Sequence, residues 1–181
     1  MIYYISDLHF GHRNILHLSN RPFANVDEMD KEIIKRWNSR VKEDDIVYIL
    51  GDICFRNGKD VSWYLKQLKG KKHLIIGNHD NHLLKNKKNF KYFETVTPLT
   101  AVFDNGDKII LCHYPMVEWD GFYRDALHFY GHIHNNVTND TYKIISKIPN
   151  AYNVGADILD FTPRTKLEVI EFNKKFQAEH E

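Results

Sequence analysis

Five short clusters of aspartate, asparagine and histidine punctuate this chain: Asp7 with His9, Asp52, Asn78-His79-Asp80, His113, and His132 with His134. Each falls where an apolar run stops, after IYYI, IVYIL, HLII, KIILC and HFY. In open α/β sheets ligands collect at the carboxyl ends of strands, so five such ends can converge on one site. Carboxylate, amide oxygen and imidazole without thiolate suit Mn²⁺, Fe, Co, Ni or Zn. Asp-x-His at 7–9 and His-x-His at 132–134 would each present two ligands on one side of an extended segment. So many ligands exceed the needs of one metal and suit two that share a carboxylate. Such pairs sit roughly 3.5–4 Å apart and clamp the oxygens of an in-line phosphoryl displacement.

The elements that must position these residues are legible from periodicity. Strands are expected at Ile2–Ile5, 46–50, 73–76, 128–131, 152–155 and 166–172. Within residues 27–42, Met29, Ile33, Ile34, Trp37 and Val41 mark one helical face, with Asp27 as N-cap. Val61, Tyr64, Leu65 and Leu68 mark a second helix closed by Gly70. ETVTPLTAVF and KIILCHY flank the turn Asp104-Asn105-Gly106-Asp107, a hairpin signal. The first half reads as α/β and the second as mostly β, which two packed sheets between helical layers accommodate.

At 181 residues the chain is expected to form one domain with a core that needs no disulfides. The formal charge of +1 argues neither for nor against a polyanionic partner. Cys54 and Cys112 make no disulfide framework and are expected to be buried thiols. With no basic-then-apolar leader and no apolar stretch of membrane-spanning length, the expectation is a cytoplasmic protein without a membrane partner. Nothing in the sequence sets an oligomeric state.

DLH (7–9), GD (51–52), GNHD (77–80), His113 and GHIH (131–134) together resemble the calcineurin-like metallophosphoesterase family, in its small single-domain bacterial and phage form. The blocks occur in family order across residues 7–134; GD alone says little, whereas D-x-H, GNH[DE] and GH-x-H in sequence are specific. The resemblance implies a single domain over residues 1–181. Its fold would be a four-layer αββα sandwich of two mixed β-sheets flanked by helices. It also implies that Asp7, His9 and His134 hold one divalent ion, that Asn78, His113 and His132 hold a second, and that Asp52 bridges them. Mn²⁺ is the leading expectation, with Fe, Zn, Ni or Co as alternatives. His79 would face the phosphate and protonate the leaving oxygen, and Asp80 would orient His79 through a hydrogen bond. A metal-bridging hydroxide would attack in line.

The expected enzyme is therefore a metal-dependent phosphoester hydrolase acting on a small phosphodiester or nucleotide. A phosphomonoesterase, a nuclease and a non-catalytic metal-binding scaffold are the alternatives; the complete motif set argues against the scaffold. His12, Arg13, Arg56 and Arg124 are the candidate substrate contacts. His12 and Arg13 follow the D-x-H ligands. Arg56 occupies the arginine place of the GD-x-x-DRG block of phosphoprotein phosphatases, whose Asp and Gly this chain lacks. Arg124 lies in EWDGFYRD (118–125), an expected recognition loop whose aromatics could stack on a base. The lysines of KGKK (69–72) and KNKKNFK (85–91) would have to form one face leading into the site for a nucleic-acid partner. His17, His73, His82, His128 and His180 receive no role in the site.

Overall fold

The computed structural model describes residues 1–56 and 58–180. One sheet holds β1 (Ile2–Ile5), β2 (Ile46–Ile49), β3 (Lys71–Ile75) and β4 (Thr95–Thr97) in that order. It is parallel at every pairing. The second sheet runs β5 (Leu99–Asp104), β6 (Asp107–Cys112), β7 (Leu127–Tyr130), β8 (Ala151–Asn153). Only the β5–β6 hairpin in it is antiparallel. Two sheets flanked by helices are thus as expected, but only the second sheet is mixed.

Strand alternation builds the layers. Tyr3, Ile5, Val47, Ile49 and Leu74 pack on Met29, Ile33 and Trp37 of α2 (Val26–Arg40) and on Tyr64 and Leu65 of α3 (Val61–Leu65). The intervening Tyr4, Leu50 and Ile75 face the other way and meet Ile109, Leu111 and Phe129 of the second sheet. That sheet's outer face carries Ile110 and Tyr130 against Trp119, Ile133 and Ile145 of α5 (Asp140–Ile145). Trp37 is fully buried and donates its indole N–H to the Lys69 carbonyl. Truncating such an aromatic costs about 3–5 kcal/mol.

Three local expectations are corrected. Residues 166–172 are not a strand but the start of α6 (Lys166–Ala178). Glu168 accepts the Thr165 N–H at 3.0 Å in a capping box, and Val169, Phe172 and Phe176 recur at helical spacing on the core side. The cap of α2 is Asn25, whose side chain accepts the Glu28 N–H at 3.0 Å; Asp27 lies inside the first turn. ETVTPLTAVF is two strands in different sheets, divided at Pro98, which has no N–H for a ladder.

The site depends on strand direction. β1, β2, β3, β6 and β7 all point their carboxyl ends to one edge, and the two sheets are tied there. The Ser6 N–H, after β1, donates to the Val154 carbonyl, after β8, while within the second sheet the Gly131 N–H donates to the His113 carbonyl. Among the described residues no helix is long and apolar enough to cross a membrane.

Candidate metal centre

Asp7, His9, Asp52, His132 and His134 all adopt left-handed backbone, with φ of 55°, 51°, 55°, 71° and 51°. The Asp-x-His and His-x-His pairs are therefore not extended segments. Each turns off its strand at a conformation that costs about 1–3 kcal/mol and persists only where the surroundings fix it. Glycines permit the close packing. A Cβ on Gly131 would overlap Ser6 and the Asp7 carboxylate, and one on Gly77 would overlap Asp52. Gly77 thus serves close approach between two loops.

The candidate ligands converge. Carboxylate and imidazole atoms of Asp7, His9 and His134 lie within 4.8 Å of one another, and so do those of Asp7, Asp52 and His113. Asp52 Oδ2 stands 3.6 Å from Nε2 of both His9 and His113. Asn78 Oδ1 approaches His113 Nε2 and His132 Nδ1 at 2.9 Å each. Asp7 belongs to both clusters, and Asp52 joins it in the second.

Tautomers fix what these atoms can do. His113 Nδ1–H donates to the Leu50 carbonyl at 2.6 Å, leaving the Nε2 lone pair turned toward Asn78 and Asp52. His134 Nδ1–H donates to Asp157 at 2.8 Å, leaving Nε2 toward Asp7 Oδ1 at 4.0 Å. Asp7 Oδ1 and both ring nitrogens of His9 are buried without a hydrogen-bond partner. A carboxylate oxygen and an imidazole buried together without hydrogen-bond partners are costly as they stand, and such a donor set fits divalent cations. The ionisation pattern agrees. Burial, with neighbouring imidazoles, holds His9 well below its ordinary pKa, and burial, with Asp7 nearby, pushes Asp52 upward.

Asp80 does not orient His79. Its buried carboxylate accepts the N–H groups of Gly77 (2.8 Å), Asp52 (3.0 Å) and Ile53 (3.1 Å), locking the GNHD loop onto the GD loop. His79 is held instead through its backbone N–H, which donates to Asp52 Oδ1 at 2.8 Å, and its ring is exposed. Partial desolvation of the ring, with His113 nearby, lowers the His79 pKa, against the opposing pull of Asp80 and Asp7.

Two supporting residues were not found from the sequence. Asp157 accepts His134 and also binds Arg21 through Nε at 2.8 Å and Nη2 at 3.1 Å. Arg21 in turn donates to the carbonyls of Asp7 (2.7 Å) and Leu8 (2.8 Å). Burial alone would raise the Asp157 pKa, but the Arg21 charge and the His134 hydrogen bond hold it low. The reverse balance raises His134: burial is outweighed by Asp157 and Asp7. YNVGAD (152–157), an apolar run that stops at Gly155 with Asp157 two residues on, was the available signal.

His12 stacks on Phe55 (4.0 Å between centroids) and lies 5.3 Å from the His9 ring. With Arg13 it lines a cavity of about 550 Å³. Arg56 lines another of about 500 Å³, together with Asn78 and His79. A third, of about 370 Å³, opens on His132 and His134.

Arg124 is not at the site. It pairs with Asp120, which pairs with Lys108 at the start of β6, five residues before His113 and at the opposite end of the strand. The surrounding loop caps the core: Trp119 is buried, donates to the Ala126 carbonyl at 2.9 Å and packs edge-on to Phe122. Nor do the lysine runs form one face. Lys71 and Lys72 open β3, away from the site, and Lys72 is buried with its ammonium on the Leu68 and Gly70 carbonyls. Of the histidines given no role, His128 is buried in β7, while His82 lies beside the site, its Nδ1 2.8 Å from the His79 carbonyl.

Comparison with known proteins adds a family. The model of the calcineurin-like phosphoesterase superfamily domain matches residues 1–154. The chain is 36% identical over 168 residues to the uncharacterized protein MJ1445 of Methanocaldococcus jannaschii, covering 90% of this chain and 85% of that protein. It is 32% identical over 133 residues to the Gene 66 protein of Mycobacterium phage L5, covering 64% and 63%. Among solved structures, the protein of unknown function AQ665 from Aquifex aeolicus superposes with a TM-score of 0.72 at 26% identity. That match covers 94% of this chain and 98% of the other.

Proposed function

This chain belongs to the calcineurin-like phosphoesterase superfamily and is a metal-dependent phosphoester hydrolase; on that premise we propose that it is a dinuclear phosphodiesterase of small substrates. Asp7, His9 and His134 would hold one ion, and Asn78, His113 and His132 the other. Asp52 would contact both, as its position 3.6 Å from a nitrogen of each set supports. Mn²⁺ is the ion we assign, given the oxygen and imidazole donors. When bound, two such ions polarise the phosphoryl oxygens and make hydroxide available near neutral pH.

The rest of the work falls to the protein. Asp80 and the glycines hold the GD and GNHD loops in register. His79, exposed beside Asn78, gives its proton to the departing oxygen; help of this kind is worth about 10²–10⁴-fold. His12, Arg13 and Arg56 line the cavities that receive the substrate. The observation that carries a diester over a monoester is the room on both sides of the centre. One cavity opens past His79 and another past His132 and His134, so each ester group of a diester has a place. One domain spanning residues 1–181 in the cytoplasm completes this reading; in that setting Cys54 and Cys112 would stay reduced.

The test is a panel of esters with the Mn²⁺-loaded protein: an aryl monoester, an aryl diester, and 2′,3′- and 3′,5′-cyclic nucleotides. Preferential turnover of the diesters is expected. Turnover of the monoester alone would make the protein a phosphatase, and no turnover with metal bound would leave a scaffold.

A further inference from the structure

Beyond Asn78 the chain enters α4 (Asn81–Lys85), and Asn78, Asn81, His82 and Lys85 recur at helical spacing along one wall of the 500 Å³ cavity. Phe55, Arg56 and His79 complete its lining. No carboxylate lines this space, yet two cations do. Among the described residues neither the Arg56 guanidinium nor the Lys85 ammonium has an ion-pair or hydrogen-bond partner. Arg21, Arg36, Arg40 and Lys166 are matched by Asp157, Glu32, Glu168 and Asp107, whereas Arg13 and exposed lysines such as Lys31 and Lys147 are unpaired too; what sets this cavity apart is that its two cations share the lining with no carboxylate. The neighbouring cavity across Phe55 is mixed, with Asp27 and Asp30 beside Arg13 and Lys59. The wall itself is anchored, since His82 spans the His79 carbonyl at 2.8 Å and Cys54 Sγ at 3.2 Å.

We propose that this cavity is a subsite for an anionic group, specifically a second phosphate, carried by the leaving half of the substrate. The proposal rests on the phosphodiesterase reading above. If His79 protonates the leaving oxygen, that oxygen and the group attached to it occupy the space His79 lines. In the step, the phosphorus–oxygen bond to that half breaks and its electron pair stays with the oxygen. A proton from His79 completes the alcohol, the hydroxyl group from water stays on phosphorus, and the other proton of that water passes to solvent, from which His79 is reprotonated. Arg56 can take two phosphate oxygens with its planar fork and Lys85 a third, as charge-assisted hydrogen bonds. The favoured substrates are thus phosphodiesters whose leaving alcohol is itself phosphorylated, rather than neutral esters.

The experiment is calorimetric titration of the Mn²⁺-loaded protein with adenosine 5′-monophosphate and adenosine 3′,5′-bisphosphate. The bisphosphate should bind about tenfold more tightly. Arg56→Ala/Lys85→Ala should shrink that advantage to less than twofold, and the charge-keeping Arg56→Lys/Lys85→Arg should retain most of it. Equal affinity for the two ligands in the unmodified protein, or an advantage that survives the alanine pair, would overturn the subsite. A thymidine octamer in the same titration separates the sources of the anion. Binding tighter than the bisphosphate points to a nucleic-acid backbone, and binding no tighter to a small phosphorylated alcohol; either, if lost in the alanine pair, supports the subsite. Because the titration needs no turnover, absence of hydrolysis would sink the phosphodiesterase reading without deciding this one.

Discussion

Replacing Asp157 with asparagine should weaken metal binding and stability together, although Asp157 is not a candidate ligand. Its two oxygens serve three donors: Arg21 Nε and Nη2, and His134 Nδ1. An asparagine offers one oxygen and an amide that donates, so at least one donor must face another donor. If His134 yields, it moves its proton to Nε2 and loses the lone pair that faces Asp7. Loss of such a support typically costs about 10–100-fold in metal affinity. If Arg21 yields, its buried charge loses its counter-ion, a change worth about 3–5 kcal/mol. Arg21 keeps the carbonyls of Asp7 and Leu8, so the lower end applies. For a chain of this length that corresponds to a fall in Tm of roughly 6–12 °C. Mn²⁺ titration by calorimetry and thermal unfolding of the same preparation read both effects. A variant that binds Mn²⁺ within twofold of the unmodified protein and melts within 2 °C of it, about the effect of 1 kcal/mol, would refute the assigned role of Asp157.

Three further outcomes are expected. His79→Ala should keep its metal, by elemental analysis, while turnover drops about 10²–10⁴-fold, least for aryl esters with good leaving groups; loss of metal would contradict the reading. Asp80→Ala should strand three buried N–H groups at about 1–3 kcal/mol each, so urea unfolding should show a loss of at least about 3 kcal/mol. Stability equal to the unmodified protein would return Asp80 to the imidazole-orienting role. His128 donates from Nδ1 to the Ile110 carbonyl and accepts the Met116 N–H at Nε2, so it is satisfied only when neutral. Burial pushes its pKa down to about 4, against 6.5 in the unfolded chain. The unfolded state therefore binds the proton first, and stability complete above pH 6.5 is lost as the pH falls toward 4, by roughly 3 kcal/mol. His128→Asn should flatten that part of the stability–pH curve relative to the unmodified protein, and an unchanged slope would count against it.

Much of the centre was legible because its residues are chemically conspicuous and sit at strand ends, which periodicity locates well. Asp7, His9, Asp52, Asn78, His113, His132 and His134 are brought together across both sheets. What the sequence concealed was how the backbone and the supporting shell work. Left-handed φ at Asp7, His9 and Asp52 leaves no trace in residue type, since aspartate and histidine also occupy extended backbone. Asp80 and His79 are adjacent, yet adjacency in a tight loop does not bring their side chains together. Arg21 and Asp157 are 136 positions apart, and no local pattern links them. α6 resembles a strand in sequence because LEVIEF is rich in Val, Ile and Phe, although Thr165 and Glu168 already spell a helix start. Trp119 and Phe122 show the converse error, aromatics near a site that turn out to close the core.

The most direct test of the dinuclear account is a Mn²⁺ titration of metal-depleted protein, followed through hydrolysis of bis(4-nitrophenyl) phosphate and closed by elemental analysis. Two ions per chain are expected, with turnover that appears fully only as the second equivalent binds. Full activity at one ion per chain, or two bound ions with no diester hydrolysis, would contradict it.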